Sequence, residues 1–115
     1  MSEITKTSTI NIQVSLDEER MPIEIKWKAE ESPTGKEQAC KAMLLSLFDE
    51  ETKDTFKIDL WTKEMQVIEM DRFFYQTLKA LGDTYFRATQ NKPLANDMQR
   101  FAQYFGESTE IIPKQ

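Results

Sequence analysis

Three features of the sequence predict an α+β fold: a four-stranded antiparallel sheet made of two hairpins, followed by two C-terminal helices packed on one face. Apolar residues alternate with polar ones at period two in the first half. Clusters of turn formers separate these runs. Beyond residue 66 the apolar spacing changes to steps of three and four. Strands first and helices last is the α+β order. A chain of 115 residues, 39% of them hydrophobic, suffices for a single domain over residues 1–115.

The first strand is read from Ile10, Ile12, Val14 and Leu16, interleaved with Asn11, Gln13 and Ser15. After the polar stretch Asp17 to Pro22, alternation resumes in Ile23, Ile25, Trp27 and Ala29, which predicts a hairpin. Residues 30–36 contain Ser32-Pro33 and Gly35 and form a loop without the closely spaced glycines of a phosphate cradle. Lys36 to Ala42 is assigned one or two helical turns. Met43 to Phe48 is apolar on both parities, so periodicity alone does not separate strand from helix. The polar turn at 49–54 and the alternating Thr55 to Trp61 decide for a second antiparallel hairpin.

From Val67, the positions Met70, Phe73, Phe74, Leu78, Leu81 and Tyr85 fit a helix of about 23 residues, with Gly82 inside it at a cost of about 1 kcal/mol relative to Ala. Gln90 to Pro93 breaks it, with Asn91 as a left-handed stop and Pro93 as a first helical residue. Leu94, Met98, Phe101, Ala102 and Phe105 share the stripe of a second helix, with Gly106 just past its end. Residues 107–115 lack a period and read as a flexible tail.

Composition narrows the chemistry. With no His and one Cys, every Ser-His, Cys-His or His-ligated scheme is closed, and neither an internal disulfide nor a Cys-rich zinc site is available. No cofactor or metal is expected. Twenty acidic against fifteen basic residues argues against nucleic acid or an anionic membrane as partner. A free Cys40, a start without a basic and then apolar segment, and no apolar run of membrane-spanning length predict a soluble cytoplasmic protein without direct membrane insertion.

Paired carboxylates remain, in Asp17-Glu18-Glu19 and Asp49-Glu50-Glu51. Both clusters fall in hairpin turns, where solvent leaves pKa values unseparated, and neither has the spacing of an EF-hand. No catalytic residue is assigned. Asp59 lies within a strand on the parity of Lys57 and Trp61, and a cross-strand ion pair accounts for it. Trp61, on the nominally polar parity, either folds under the helix start or belongs to an interaction surface.

Apolar residues in fact exceed what one covered sheet face needs. Of the sets Met43/Leu45/Leu47 and Leu44/Phe48, one must point away from the helices. That favours a homo-oligomer formed through the sheet or a groove for a partner. The alternative is a central strand masked by Lys36–Ala42 and the tail. Tyr75 and Phe86 lie off the main helical seam, at its edge or in an interface. Leu44, Phe48, Trp61, Tyr75 and Phe86 are therefore the candidate interaction residues.

The succession KAMLLSLFD, FKIDLWTKEM, EMDRFFYQTL and GDTYFRAT, from Lys41 onward, resembles the gliding motility GldC family. The most specific parts are Ile58 to Lys63, Phe73 to Leu78, Asp83-Thr84 and Arg87 to Thr89. The resemblance implies a small soluble cytoplasmic protein associated with the gliding apparatus of Bacteroidetes-type bacteria, with partners in that gliding and envelope machinery and no catalytic residues to carry over. A non-enzymatic adaptor acting through protein contacts is the first reading. A SecB-like export chaperone or holdase, suggested by the acidic charge, the order of sheet and helices and the surplus apolar face, is the alternative. An enzyme using carboxylates or Tyr ranks third.

Overall fold

Five strands and two helices follow one another among residues 2–114, the part of the chain that the computed structural model describes: β1 (Ile10–Leu16), β2 (Pro22–Ala29), β3 (Gln38–Cys40), β4 (Ala42–Phe48), β5 (Thr55–Trp61), α1 (Val67–Thr89) and α2 (Lys92–Ser108). The chain divides into two compact units, Met1–Met65 with the strands and Gln66–Gln115 with the helices.

The expected alternation places β1 opposite β2, with Ile12 facing Trp27 and Val14 facing Ile25. Ile25 is paired on its other side with Cys40 and is 1% exposed, the most buried large side chain of this unit. Its burial contributes about 2 kcal/mol. The expected helical turns at Lys36–Ala42 are replaced by β3. Ile25, Lys26 and Trp27 leave one row of backbone groups unpaired by β1, and Gln38 to Cys40 satisfies them as a third strand.

The single four-stranded sheet is corrected in the same place. Two sheets form, β1-β2-β3 and β4-β5. The physical reason is a change of partner at Lys41: Cys40 lies opposite Ile25, whereas Ala42 lies opposite Trp61. Two backbone bonds tie the sheets together. Thr62 N–H donates to Lys41 C=O at 2.8 Å, and Lys63 N–H donates to Pro22 C=O at 3.1 Å. Thr62, 5% exposed, is buried at this junction.

In the second unit α1 begins with a capping box, in which Gln66 N–H donates to Glu69 Oε1 at 3.0 Å. It ends on Gln90 in the left-handed conformation, φ 60°, one residue before the Asn expected there. Asn91 instead caps α2, accepting from Leu94 N–H at 3.2 Å. Gly106 is also displaced from its expected role as a stop, since α2 continues to Ser108 and Gly106 is buried inside it. A Cβ there would lie 2.7 Å from Tyr75 Cε1 and 2.9 Å from Ile112 Cγ1. Gly82 of α1 plays the reciprocal part, because a Cβ there would overlap Gln99 Nε2. That amide donates to Lys79 C=O at 3.0 Å and to Asp83 Oδ1 at 3.1 Å. Small residues Ala95, Ala102 and Gly106 form the buried side of α2, so the two helices approach closely and antiparallel.

The two glycines respond differently to substitution. Gly106→Ala meets a rigid ring, and a packing penalty of about 1–3 kcal/mol exceeds the propensity gain of about 1 kcal/mol, so net destabilisation is expected in urea melts. Gly82→Ala meets a flexible amide. In a Gln99→Ala background it is expected to become stabilising by about 0.5–1 kcal/mol, because the helix-propensity gain then stands alone.

Candidate interaction surface

The two acidic turns are built alike. Asp17 Oδ1 accepts from Glu19 N–H at 2.9 Å and from Met21 N–H at 3.0 Å, and Arg20 takes a left-handed φ of 66°. Asp49 Oδ2 accepts from Glu51 N–H at 3.1 Å and Thr52 N–H at 2.8 Å, with Lys53 at φ 62°. Each leading aspartate thus turns the chain by holding its backbone. Asp17 in addition pairs with Lys63 Nζ at 2.7 Å, which links the first hairpin to the segment after β5. The bond from Lys63, then those from the Met21 and Glu19 amides, holds the Asp17 carboxyl below its ordinary 3.8. Hydrogen bonds from Thr52 and then Glu51 lower Asp49 likewise. Both groups are biased toward the ionised state, the opposite of what a general acid requires.

The register of β4 and β5 separates the two apolar sets that the sequence left ambiguous. Met43 faces Leu60, Leu45 faces Ile58 and Leu47 faces Phe56, so one side of the hairpin is wholly apolar. On the other, Ala42 faces Trp61, Leu44 faces Asp59, Ser46 faces Lys57 and Phe48 faces Thr55. Three candidates, Leu44, Phe48 and Trp61, therefore share this mixed side. Phe48 is 69% and Trp61 55% exposed, whereas Leu44 is half-buried. Trp61 borders a shallow cleft of about 150 Å³ with Met21, Pro22, Asp59 and Leu60. The ion pair of Asp59 runs along its own strand to Lys57, at 3.3 Å, and not across to β4 as expected, because its cross-strand neighbour is Leu44.

The helical candidates lie apart from one another. Tyr75 is half-buried against Gly106, with Lys79 Nζ 5.7 Å from its ring centre. It packs the helix pair. Phe86, more exposed, lines a cleft of about 140 Å³ with Gly82, Asp83, Lys92, Ala95 and Gln99. The sequence reading missed Phe56 and Ile58, 58% and 49% exposed on the apolar side of the hairpin. Their clean alternation marked them as core. The signal that pointed the other way was the double apolarity of Met43 to Phe48, which leaves more apolar surface than one cover can bury. Cys40 is half-buried, and desolvation raises its thiol above 9.0, away from reactivity at neutral pH.

Among the described residues, no helix is long and apolar enough to cross a membrane. A family model described as gliding motility-associated protein GldC-like matches residues 22–111, from β2 to just beyond α2. No curated protein and no solved structure gives a significant match.

The lowered carboxyls make stability pH-dependent in a definite direction. The unfolded chain binds more protons than the folded one, so this contribution is complete above about pH 4 and is lost as pH falls through the depressed folded values. Asp17→Asn is expected to lower Tm at neutral pH and to flatten the acid limb, as followed by circular dichroism melts across pH.

Proposed function

Since the chain belongs to the GldC-like family of gliding motility-associated proteins, we propose that it is a non-enzymatic, cytoplasmic accessory or adaptor of bacterial gliding that self-associates and contacts proteins of the gliding and envelope machinery. The observation that carries the contact role is the β4-β5 hairpin. Large apolar side chains stand exposed on both of its sides, Phe48 and Trp61 on one, Leu47, Phe56 and Ile58 on the other. Isolated exposed apolar residues are ordinary, but a clustered set marks an interaction surface. The mixed side, where Trp61 and Phe48 stand at the two ends and Leu44, Asp59 and Lys57 lie between them, suits a specific protein partner, with an aromatic anchor at each end and charges between to set the register. Phe86 offers a second, smaller contact on the helices, while Tyr75 packs the helix pair at Gly106.

The same exposure favours one other reading, a holdase that shields apolar segments of exported or envelope proteins. A holdase tolerates many clients and an adaptor few, so the two differ in what a point change does.

In a gliding host, deletion of the gene is expected to reduce colony spreading, and the wild-type gene to restore it. Phe48→Ser with Trp61→Ser, both at exposed positions, is expected to fail to restore spreading while the purified protein keeps its Tm. A deletion strain that spreads normally would overturn the motility role. Suppression of aggregation of an unfolded client that survives this double change would favour the holdase.

A further inference from the structure

We propose that the free edge of β5 is a homodimer interface, on which β5 of a second copy pairs antiparallel about a two-fold axis at Ile58. Among the described residues β5 is paired with β4 alone. The phase of its backbone follows from one bond. Thr62 N–H donates to Lys41 C=O toward β4, so in the alternating ladder Leu60, Ile58 and Phe56 also direct their backbone groups to β4, while Thr55, Lys57, Asp59 and Trp61 direct theirs to the open edge. Lys63, next in that series, already uses its N–H on Pro22 C=O. The free edge thus ends at Trp61.

Antiparallel self-pairing must set residues of one face opposite each other, so the two-fold can fall on Lys57, Ile58 or Asp59 near the strand centre. A centre at Lys57 sets two ammonium groups opposite each other, and one at Asp59 sets two carboxylates, both unfavourable. A centre at Ile58 sets Lys57 opposite Asp59 of the second copy, twice, and overlaps all seven residues. The pairs that exchange hydrogen bonds are then Lys57 with Asp59 and Thr55 with Trp61, the residues whose backbone groups point outward. Phe56 falls opposite Leu60 on the apolar side, which becomes continuous over four strands. In the single chain Lys57 and Asp59 pair with each other at 3.3 Å and stay 55% and 38% exposed at the side chain, so each can exchange that partner for one on the second copy. The strand has no Gly, no Pro and no register shift, and Met21 and Pro22 stand beside its Asp59–Trp61 end across a shallow cleft. Of the other strands with an open edge, β1 is interrupted by a shift between Ser15 and Leu16, β3 spans three residues, and β4 carries no charged side chain to set the register of a self-pairing.

This interface rests on the self-association proposed above and gives it a surface and a register. The test is a charge-swap cycle on the full chain, read by sedimentation equilibrium. The wild type is expected to dimerise, Lys57→Asp and Asp59→Lys each to weaken the dimer about tenfold or more, and Lys57→Asp with Asp59→Lys together to recover most of the affinity. In a Cys40→Ala background, Ile58→Cys is expected to give a disulfide-linked dimer on mild oxidation, whereas Lys57→Cys, offset from its own copy, gives far less. A wild type that stays monomeric at millimolar concentration overturns both this interface and the self-association. A dimer indifferent to the single reversals, or a double swap as weak as the singles, overturns the β5 register alone.

Discussion

The 2.8 Å bond from Thr62 N–H to Lys41 C=O sits where three segments meet. It continues the β4-β5 ladder by one pair beyond Trp61, it lies at the residue where the chain leaves β3 for β4, and it buries Thr62 at 5% exposure. With the neighbouring bond from Lys63 to Pro22, it joins two sheets that share no strand pairing of their own. The cost of losing it would exceed one net hydrogen bond of about 1 kcal/mol, because buried donors would be left unpaired. It also fixes which backbone groups of β5 face outward, and so which side chains can meet another chain.

The helical unit solves its packing differently. Gly82, Ala95, Ala102 and Gly106 bring the backbones close, and the polar contact of Gln99 with Lys79 and Asp83 fixes their register. Close approach through small residues leaves large ones elsewhere. Phe74, Leu81, Leu94, Phe101 and Tyr104 remain between 39% and 65% exposed. A helix pair joined through large side chains would have buried these and left little to offer a partner.

Strands β1, β2, β4 and β5 and helix α1 were legible in the sequence because each depends on periodicity, which is local. β3 was not, since three residues carry no period and only the unpaired backbone of β2 makes them a strand. The split at Lys41 is a matter of partner choice between two strands distant in sequence, for which no local residue codes. Gly106 misled for a related reason: glycine signals a helix stop when judged locally, yet here its missing Cβ accommodates Tyr75, thirty-one positions earlier. For the candidate surface, the excess of apolar residues in Met43 to Phe48 was readable, whereas the face each one occupies required the register. Asp17 and Asp49 were rightly placed in turns, but their hold on the backbone, and the link from Asp17 to Lys63, depended on geometry.

The acidic character of the chain bears on whether like copies can meet. A formal charge of −5 on each copy gives an unscreened repulsion of about 4 kcal/mol at roughly 25 Å in water. A Debye length of about 8 Å in physiological salt reduces this to a few tenths of a kcal/mol. The excess is moreover concentrated in hairpin tips, at Glu18-Glu19 and Glu50-Glu51, while Lys57 and Asp59 leave β5 neutral. Opposed charges directly across two strands contribute about 0.2–1 kcal/mol per pair at contact distance, where screening has little effect. Two such pairs, with two Phe56–Leu60 pairs and the Ile58 self-pair beside them, outweigh the screened repulsion. The net charge therefore keeps unrelated surfaces apart without opposing a contact whose charges are locally balanced, and it is this local balance, more than the total, that selects which strand edge another copy can use.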